Sequence, residues 1–277
     1  MGLRVSTNVA SINAQRALAG SQREIQKSFA QLSSGSRITK SADDAAGLSI
    51  SENMKSHIRG YMQAQRNSND GVSMVQVAEG GLNEISNIMT RLRELGVQAA
   101  SDTIGDTERG FVNKEVQQLK TEADRIAKTT RFGKTQLLDG TGGEFSFQID
   151  LNNDDFKDRI KFNASEADAS ASNLGIDGLD FSDKENARNA LETLDVAQVQ
   201  VNGYRANLGA LQNRLNSTSD NLGVAMENLS AANSRIRDTD IASSSAELTK
   251  NNILMSATTS VIAQANQQPQ LALKLLS

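Results

Sequence analysis

The sequence predicts a mainly α fold: long helices packed as an elongated coiled-coil-like bundle, with a small β-hairpin region set among them. Three observations carry this. A single Pro in 277 residues leaves almost nothing to interrupt a helix, where average usage of roughly 5% would supply about 14. Apolar residues return at sevenfold spacing along two extended stretches, and a shorter third stretch keeps helical spacing. One brief segment alternates apolar and polar side chains instead. With aromatics at 4%, the core must be built mostly of Leu, Ile, Val and Ala.

Near the N-terminus, Val5, Val9, Ile12, Leu18, Ile25, Phe29 and Leu32 follow helical spacing among Ser, Asn, Gln and Ala. So thin a stripe cannot offset roughly 1–2 kcal/mol of backbone entropy per residue unless something packs on it. Asp43 and Asp44 then stand as N-cap and first-turn carboxylates. They precede a seam of Met54, Tyr61, Ser68, Val75, Leu82 and Met89, flanked by Ile58, Val72, Ala78, Ile85, Leu92 and Ala99. The flanking row slips by one residue, which a supercoil tolerates. After a breaker-like stretch at 101–110, Val112, Val116, Leu119, Ala123 and Ile126 predict a third helix.

Gly140, Gly142 and Gly143 open the change of period. Phe145, Phe147, Ile149 and Leu151 alternate with Glu144, Ser146, Gln148 and Asp150, and Ile160 and Phe162 alternate after a turn-like cluster at 152–155, which together read as a β-hairpin. Phe132, Phe145, Phe147, Phe156 and Phe162 crowd this region, and it is expected to cap one end of the helical rod.

The strongest signal comes next. From Ala187, every seventh residue is apolar: Leu194, Val201, Leu208, Leu215, Leu222, Leu229 and Ile236. A companion row reads Ala190, Ala197, Tyr204, Leu211, Thr218, Ala225 and Ala232. Both rows together arise by chance in roughly a few sequences per thousand, and a helix over 187–236 would run about 75 Å. Beyond it, Leu254, Val261, Ile262, Leu273 and Leu276 continue at helical spacing in a stripe as thin as the N-terminal one. Residues 1–42 hold six Lys/Arg against one Asp/Glu, whereas 240–277 hold two of each. Such tails are either solvated and disordered in the free chain, or they fold as copies assemble, with folding and binding as one step.

Chemistry is excluded position by position. A net charge of −4 argues against bulk electrostatic binding of nucleic acid. Zero Cys removes disulfides, thiolate catalysis and Cys-ligated metals, and one imidazole, His57, permits neither a His-based triad nor a multi-His metal site. Gly133-Lys134-Thr135 imitates the end of a phosphate loop, but Lys128 stands where the first Gly is required. Asp150, Asn152 and Asp154 imitate a calcium loop, but Asp155 replaces its Gly and Lys161 its bidentate Glu. The expectation is a protein with no catalytic residues, no metal and no cofactor. No window reaches the roughly 18 unbroken apolar residues of a membrane span, and residues 1–30 lack the apolar stretch of a cleaved secretory signal.

The residues also carry a resemblance. Gln31–Ile38 (QLSSGSRI) followed by Asp43–Gly47 (DDAAG) closely resembles the N-terminal signature of bacterial flagellins, as do Gln65–Gly71 (QRNSNDG), Glu79–Ile85 (EGGLNEI) and Arg91–Ala99 (RLRELGVQA). Ser234–Ala242 (SRIRDTDIA) and Ser260–Gln268 (SVIAQANQQ), through Pro269 to Leu275-Leu276-Ser277, resemble the C-terminal signature. The likeness spans about 1–165 and 185–277, leaving the hairpin and a linker near 164–184 and no outer variable domains.

The resemblance implies a structural subunit that self-assembles into the bacterial flagellar filament for motility. Residues 1–43 and 240–277 would be terminal inner-core helices, and 44–239 an outer helical domain with its hairpin region near 132–165. Polymerisation would fall to the terminal stripes, and the seam from Leu194 to Ile236 would hold the outer domain. The implied partners are other copies of the chain, hook-associated and cap proteins, and the flagellar export apparatus with its chaperone. They include no nucleic acid and no membrane insertion. The implied location is the extracellular filament, reached without a cleaved signal. Arg91, Leu95 and Glu115 match positions at which the family meets a host Toll-like receptor. Two other readings compete: a hook–filament junction protein, which would form no long homopolymer, and a cytoplasmic coiled-coil adaptor or chaperone, which would form a small defined oligomer.

Overall fold

A computed structural model describes the backbone of residues 7–276 and the side chains of residues 7–267. Its helices are α1 (Val9–Ser34), α2 (Ala45–Ala99), α3 (Asp106–Thr129), α4 (Lys184–Arg237) and α5 (Ile241–Leu276). Between α3 and α4 lie β1 (Arg131–Phe132), β2 (Thr135–Gln136), β3 (Glu144–Gln148), β4 (Arg159–Asn163) and a 3-10 turn at Ala164–Glu166. The mainly α fold with a hairpin region is as expected. The chain forms two compact units, one of residues 57–227 and one joining residues up to 56 with those from 228.

In the 57–227 unit, the heptad rows become a core. Val75, Leu82, Ile85, Met89 and Leu92 of α2 are buried with Val116, Ala123 and Ala127 of α3 and with Leu194, Val201, Leu208 and Leu215 of α4. α2 and α4 run antiparallel here. Arg93 Nε donates to Asp195 Oδ1 at 2.7 Å, Gln198 Nε2 to Ser86 Oγ at 2.8 Å and Gln65 Nε2 to Ser219 O at 3.3 Å. Gly71 is required where a third element closes in, because a Cβ there would lie 3.1 Å from Leu215 and 3.2 Å from Phe147 of the hairpin. Arg109, buried at the start of α3, donates from Nε to Ala99 O and from Nη2 to Ser101 O, both at 2.9 Å. Its cation thereby satisfies carbonyls at the end of α2, and α3 begins inside the stretch that reads as a breaker.

The main hairpin pairs Phe145 with Phe162 and Phe147 with Ile160, and the two Phe rings stack with centroids 6.3 Å apart. β3 stops at Gln148, so Ile149 and Leu151 belong to the connecting loop rather than to the strand. Ile149 is nonetheless buried. A second hairpin appears at β1–β2, with Phe132 opposite Thr135 across Gly133-Lys134. Gly133 takes φ +63, a left-handed value suited to a two-residue turn. The phosphate-loop imitation is therefore turn chemistry.

Residues 164–183 are not a linker. Ala167, Ala169, Ala171, Leu174, Ile176, Leu179 and Phe181 are all buried. The backbone of this strap is satisfied by its own turns, by Leu138 O, which accepts from Ala169 N at 2.8 Å, and by one face of α3. Gln117 Nε2 donates to Leu179 O at 3.1 Å, Lys120 Nζ to Leu179 O at 3.0 Å and also to Asp177 O, and Asn113 Oδ1 accepts from Phe181 N at 3.0 Å.

In the other unit, α1 and α5 pack along one another. Asn8 caps α1 by accepting from Ser11 N at 3.1 Å, and Gly35 ends it at φ +68. Asp240 caps α5 by accepting from Ala242 N at 2.9 Å. The cap of α2 falls on Asp44, whose Oδ1 accepts from Gly47 N at 2.8 Å. Asp43 has a different task, accepting from Thr39 N at 3.0 Å and Lys40 N at 2.9 Å to hold the preceding turn. The Lys40 N–H, then the Thr39 hydroxyl and N–H, hold the Asp43 carboxyl below its ordinary range.

Candidate functional site

α1 and α5 pair inside one chain, so the terminal stripes have a partner within it, and that partner covers them only in part. The buried residues of α1 are Ser11, Ala14 and Ser28. Those of α5 among the described side chains are Ser244, Asn251 and Ala265. Outside lie Val9, Ile12, Phe29, Leu254 and Val261, with Phe29 66% and Val261 54% exposed. Leu18, Ile25, Leu32 and Ile262 are half-buried. Val5 and the side chains of Leu273 and Leu276 fall outside the described residues. Ile241 and Ile253 add exposed apolar surface that helical spacing alone did not single out; the Ile253-Leu254-Met255 triplet was the available signal. Ser11, Ala14, Leu18, Ser21, Ile25, Ser28 and Leu32 recur at steps of three and four, as do Ser244, Leu248, Asn251, Met255, Thr258, Ile262 and Ala265, so the seam mixes small buried residues with half-buried large ones while part of each stripe stays outside it.

The hydroxyls of α5 reinforce this. Thr249, Ser256, Thr258, Thr259 and Ser260 each donate to the carbonyl four residues earlier, at 2.9, 3.1, 2.7, 2.8 and 3.1 Å. A hydroxyl whose proton is already bonded to its own helix loses little when water leaves. The face combines apolar side chains with self-satisfied hydroxyls, so covering it strands few polar groups. Covering a Val, Leu, Ile or Phe side chain contributes about 1.5–3 kcal/mol each.

The α4 seam behaves oppositely. Leu194, Val201, Leu208, Leu215 and Leu222 are buried, and only Leu229 and Ile236, in the unit that holds α1 and α5, are half-buried.

Arg91, Leu95 and Glu115 do not form one surface. Arg91 Nε and Nη2 both donate to Glu115 Oε1, at 3.0 and 2.9 Å, and Nη1 donates to Glu94 Oε2 at 2.9 Å. These two carboxylates, Glu94 first, push the Arg91 guanidinium further up. Leu95 is 2% exposed and belongs to the core. The expectation that it meets a receptor is corrected: it follows Leu92 by one helical turn on the buried face of α2.

Among the described residues, no group of three His, Cys, Asp or Glu is placed to hold a metal, and no helix is long and apolar enough to cross a membrane. The calcium-loop imitation is a turn, with Asp154 Oδ1 accepting from Phe156 N at 3.0 Å and Lys157 N at 3.1 Å. His57 is exposed.

Comparison with known proteins gives these features a context. Residues 5–142 match the bacterial flagellin N-terminal helical region, and residues 191–276 the C-terminal helical region. A flagellin of Halalkalibacterium halodurans is 43% identical over 272 residues, covering 98% of this chain and 99% of that protein. A flagellin of Bacillus subtilis is 40% identical, covering 99% of this chain and all of that protein. Among solved structures, the crystal structure of Bacillus cereus flagellin is similar at 32% identity with a TM-score of 0.51, over 57% of this chain and 88% of that one.

Proposed function

The chain belongs to the bacterial flagellin family, and from that premise we propose how its parts share the work of building a filament. The protein is a structural subunit that self-assembles into the flagellar filament that serves motility; it is not an enzyme. Neither a junction role nor a cytoplasmic adaptor is favoured.

In our reading, residues 1–43 and 240–277 form the inner core of the filament, residues 44–239 form the outer helical layer, and no outer variable domain is added. The terminal stripes polymerise, and the α4 seam from Leu194 to Ile236 holds the outer layer together. The observation that supports this division is the apolar surface that the α1–α5 pair leaves uncovered at Val9, Ile12, Phe29, Leu254 and Val261, which a second copy would cover. Sedimentation tests it. The native chain should pellet as long filaments and release monomer on mild heating or acid. Leu254→Asp places a carboxylate in the covered surface at a cost of several kcal/mol per subunit, and should leave a soluble helical monomer. Normal filaments from that variant would remove the terminal helices from the polymer.

The remaining partners follow from the family resemblance: hook-associated and cap proteins, and a flagellar export apparatus with its chaperone. The resulting location is the extracellular flagellar filament. A host Toll-like receptor would meet Arg91 and Glu115, which are half-exposed and joined to each other, without Leu95. Monomer carrying Arg91→Ala should signal more weakly in receptor-bearing reporter cells than the native chain, and equal signalling would refute the contact.

A further inference from the structure

The 57–227 unit is acidic, with 18 Lys/Arg against 26 Asp/Glu. Acidic surfaces repel one another, so two copies of this unit approach at least cost where surface charge is missing. α3 shows the opposite case. Its exposed positions include Lys114, Glu115, Arg125 and Lys128. Arg91 meets Glu115 at 2.9 Å, Arg125 meets Glu122 at 2.6 Å and Lys128 meets Asp124 at 2.6 Å. A helix face dressed in this way is suited to water, and covering it would strip hydration from each ion.

No exposed residue of α2 between 71 and 83 is charged, and none of α4 between 196 and 213. The charged residues within these stretches, Glu79 and Arg205, are half-buried. Val77, Val196 and Val199 stand exposed instead, Val199 at 71%. The two stretches lie side by side. Gln65 Nε2 reaches Ser219 O and Gln198 Nε2 reaches Ser86 Oγ, which sets position 73 beside 211 and position 83 beside 201. Gly80 and Gly203 therefore fall at one level of this pair. Neither takes a positive φ, and a Cβ on either would meet nothing within 4 Å. Nothing within the subunit requires glycine at these points, and each weakens its helix relative to Ala. What such a glycine offers is room for another chain to approach the backbone.

We propose that the band formed by residues 71–83 of α2 and 196–213 of α4 is the face at which the 57–227 unit meets a second copy of the chain. This rests on the self-assembly reading and adds a contact surface outside the terminal pair. The occupant is a second copy because the chain assembles with itself, and because this acidic unit would meet its own charge on other faces. Covering the band strips no exposed ion of water, removes the Val side chains from solvent and uses the space above Gly80 and Gly203.

The chain has no Cys, so a single introduced thiol reports the burial of its own position. Ala206, exposed on α4 within the band, and Thr121, exposed on α3, are the two test positions. The thiol of Ala206→Cys should react with a maleimide about tenfold more slowly in filaments than in monomer. That of Thr121→Cys should react at similar rates in both. Ala206→Glu exchanges one good helix former for another, so the monomer should keep its helix content. It should raise the concentration needed to form filaments by about tenfold, and 1 M salt, which screens charges beyond about 3 Å, should recover part of that loss. Thr121→Glu makes a carboxylate on the α3 face and should leave that concentration within about twofold. Equal maleimide rates at position 206 in monomer and filaments overturn the proposal and leave the filament reading intact. So does equal protection at 121 and 206, or an unchanged assembly concentration for Ala206→Glu. Failure of the native chain to pellet overturns the filament reading itself.

Discussion

α4 between Ala187 and Leu222 and the α1–α5 pair are both helical packings made from similar apolar material, and they use it in opposite ways. In α4 the Leu and Val row turns inward against α2 and α3. In the terminal pair the fully buried side chains are Ser, Ala and Asn, Leu18, Ile25, Leu32 and Ile262 are half-buried beside them, and Val9, Ile12, Phe29, Leu254 and Val261 face out. The first packing uses its hydrophobic free energy within the subunit. The second leaves much of it available to a neighbouring copy, and keeps its desolvation cost low because the α5 hydroxyls bond to their own helix. Apolar content alone therefore does not tell the two packings apart; how far each row is covered within the subunit does.

The sharpest way to break the comparison is to make one truncation in both regions. Leu208→Ala empties a fully buried site and should destabilise the 57–227 unit by about 2–5 kcal/mol, read as a lower melting temperature of the monomer. Leu254→Ala removes a side chain that is 43% exposed in the subunit, and should change monomer stability by no more than about 0.5 kcal/mol. It should nevertheless raise the concentration needed to form filaments. Equal monomer destabilisation by the two would mean that the terminal pair has a core of its own.

A smaller effect separates close packing from open surface within the buried unit. Gly71→Ala meets Leu215 and Phe147 at 3.1–3.3 Å and should cost about 1–3 kcal/mol. Gly209→Ala, on α4 with nothing within 4 Å of the new methyl, should stabilise the helix by about 0.5–1 kcal/mol. Thermal melts of the two variants should move in opposite directions.

The smallest effect is acid dependence. The folded-state pKa of Asp43 lies below its ordinary value of 3.8. Its contribution is therefore fully present above that value and is lost as pH falls through the lower folded one. Asp195, held down by the Arg93 guanidinium in the 57–227 unit, has the same sign. Asp43→Asn should speed amide exchange around residues 39–48 above the ordinary carboxylate range, and the gap from the native chain should close as pH falls below 3.8 and through the lower folded value. A gap that persists in acid would assign the turn at Asp43 to something other than its charge.

The sequence by itself determined the helices and the α4 seam, because sevenfold recurrence over many turns leaves one face to bury and few ways to bury it. It also determined the Phe145–Phe162 hairpin, whose period of two no helix can satisfy. Leu95 was within reach too: one turn from Leu92 and Ala99, it shares their buried face. Tertiary structure alone decided the rest. The strap at 164–183 has no period to detect, since alternate Ala residues bury little, and its own turns, Leu138 O and side chains of α3 rather than a sheet satisfy its backbone. Periodicity places Val9 and Ile12 on one face of α1 and Phe29 on another, but does not show which face turns toward α5. The buried Ser11, Ala14 and Ser28 against Ser244, Asn251 and Ala265 decide this, with Ser11 Oγ donating to Asn266 Oδ1 at 3.0 Å, an interaction between the two ends of the chain that neither end encodes alone.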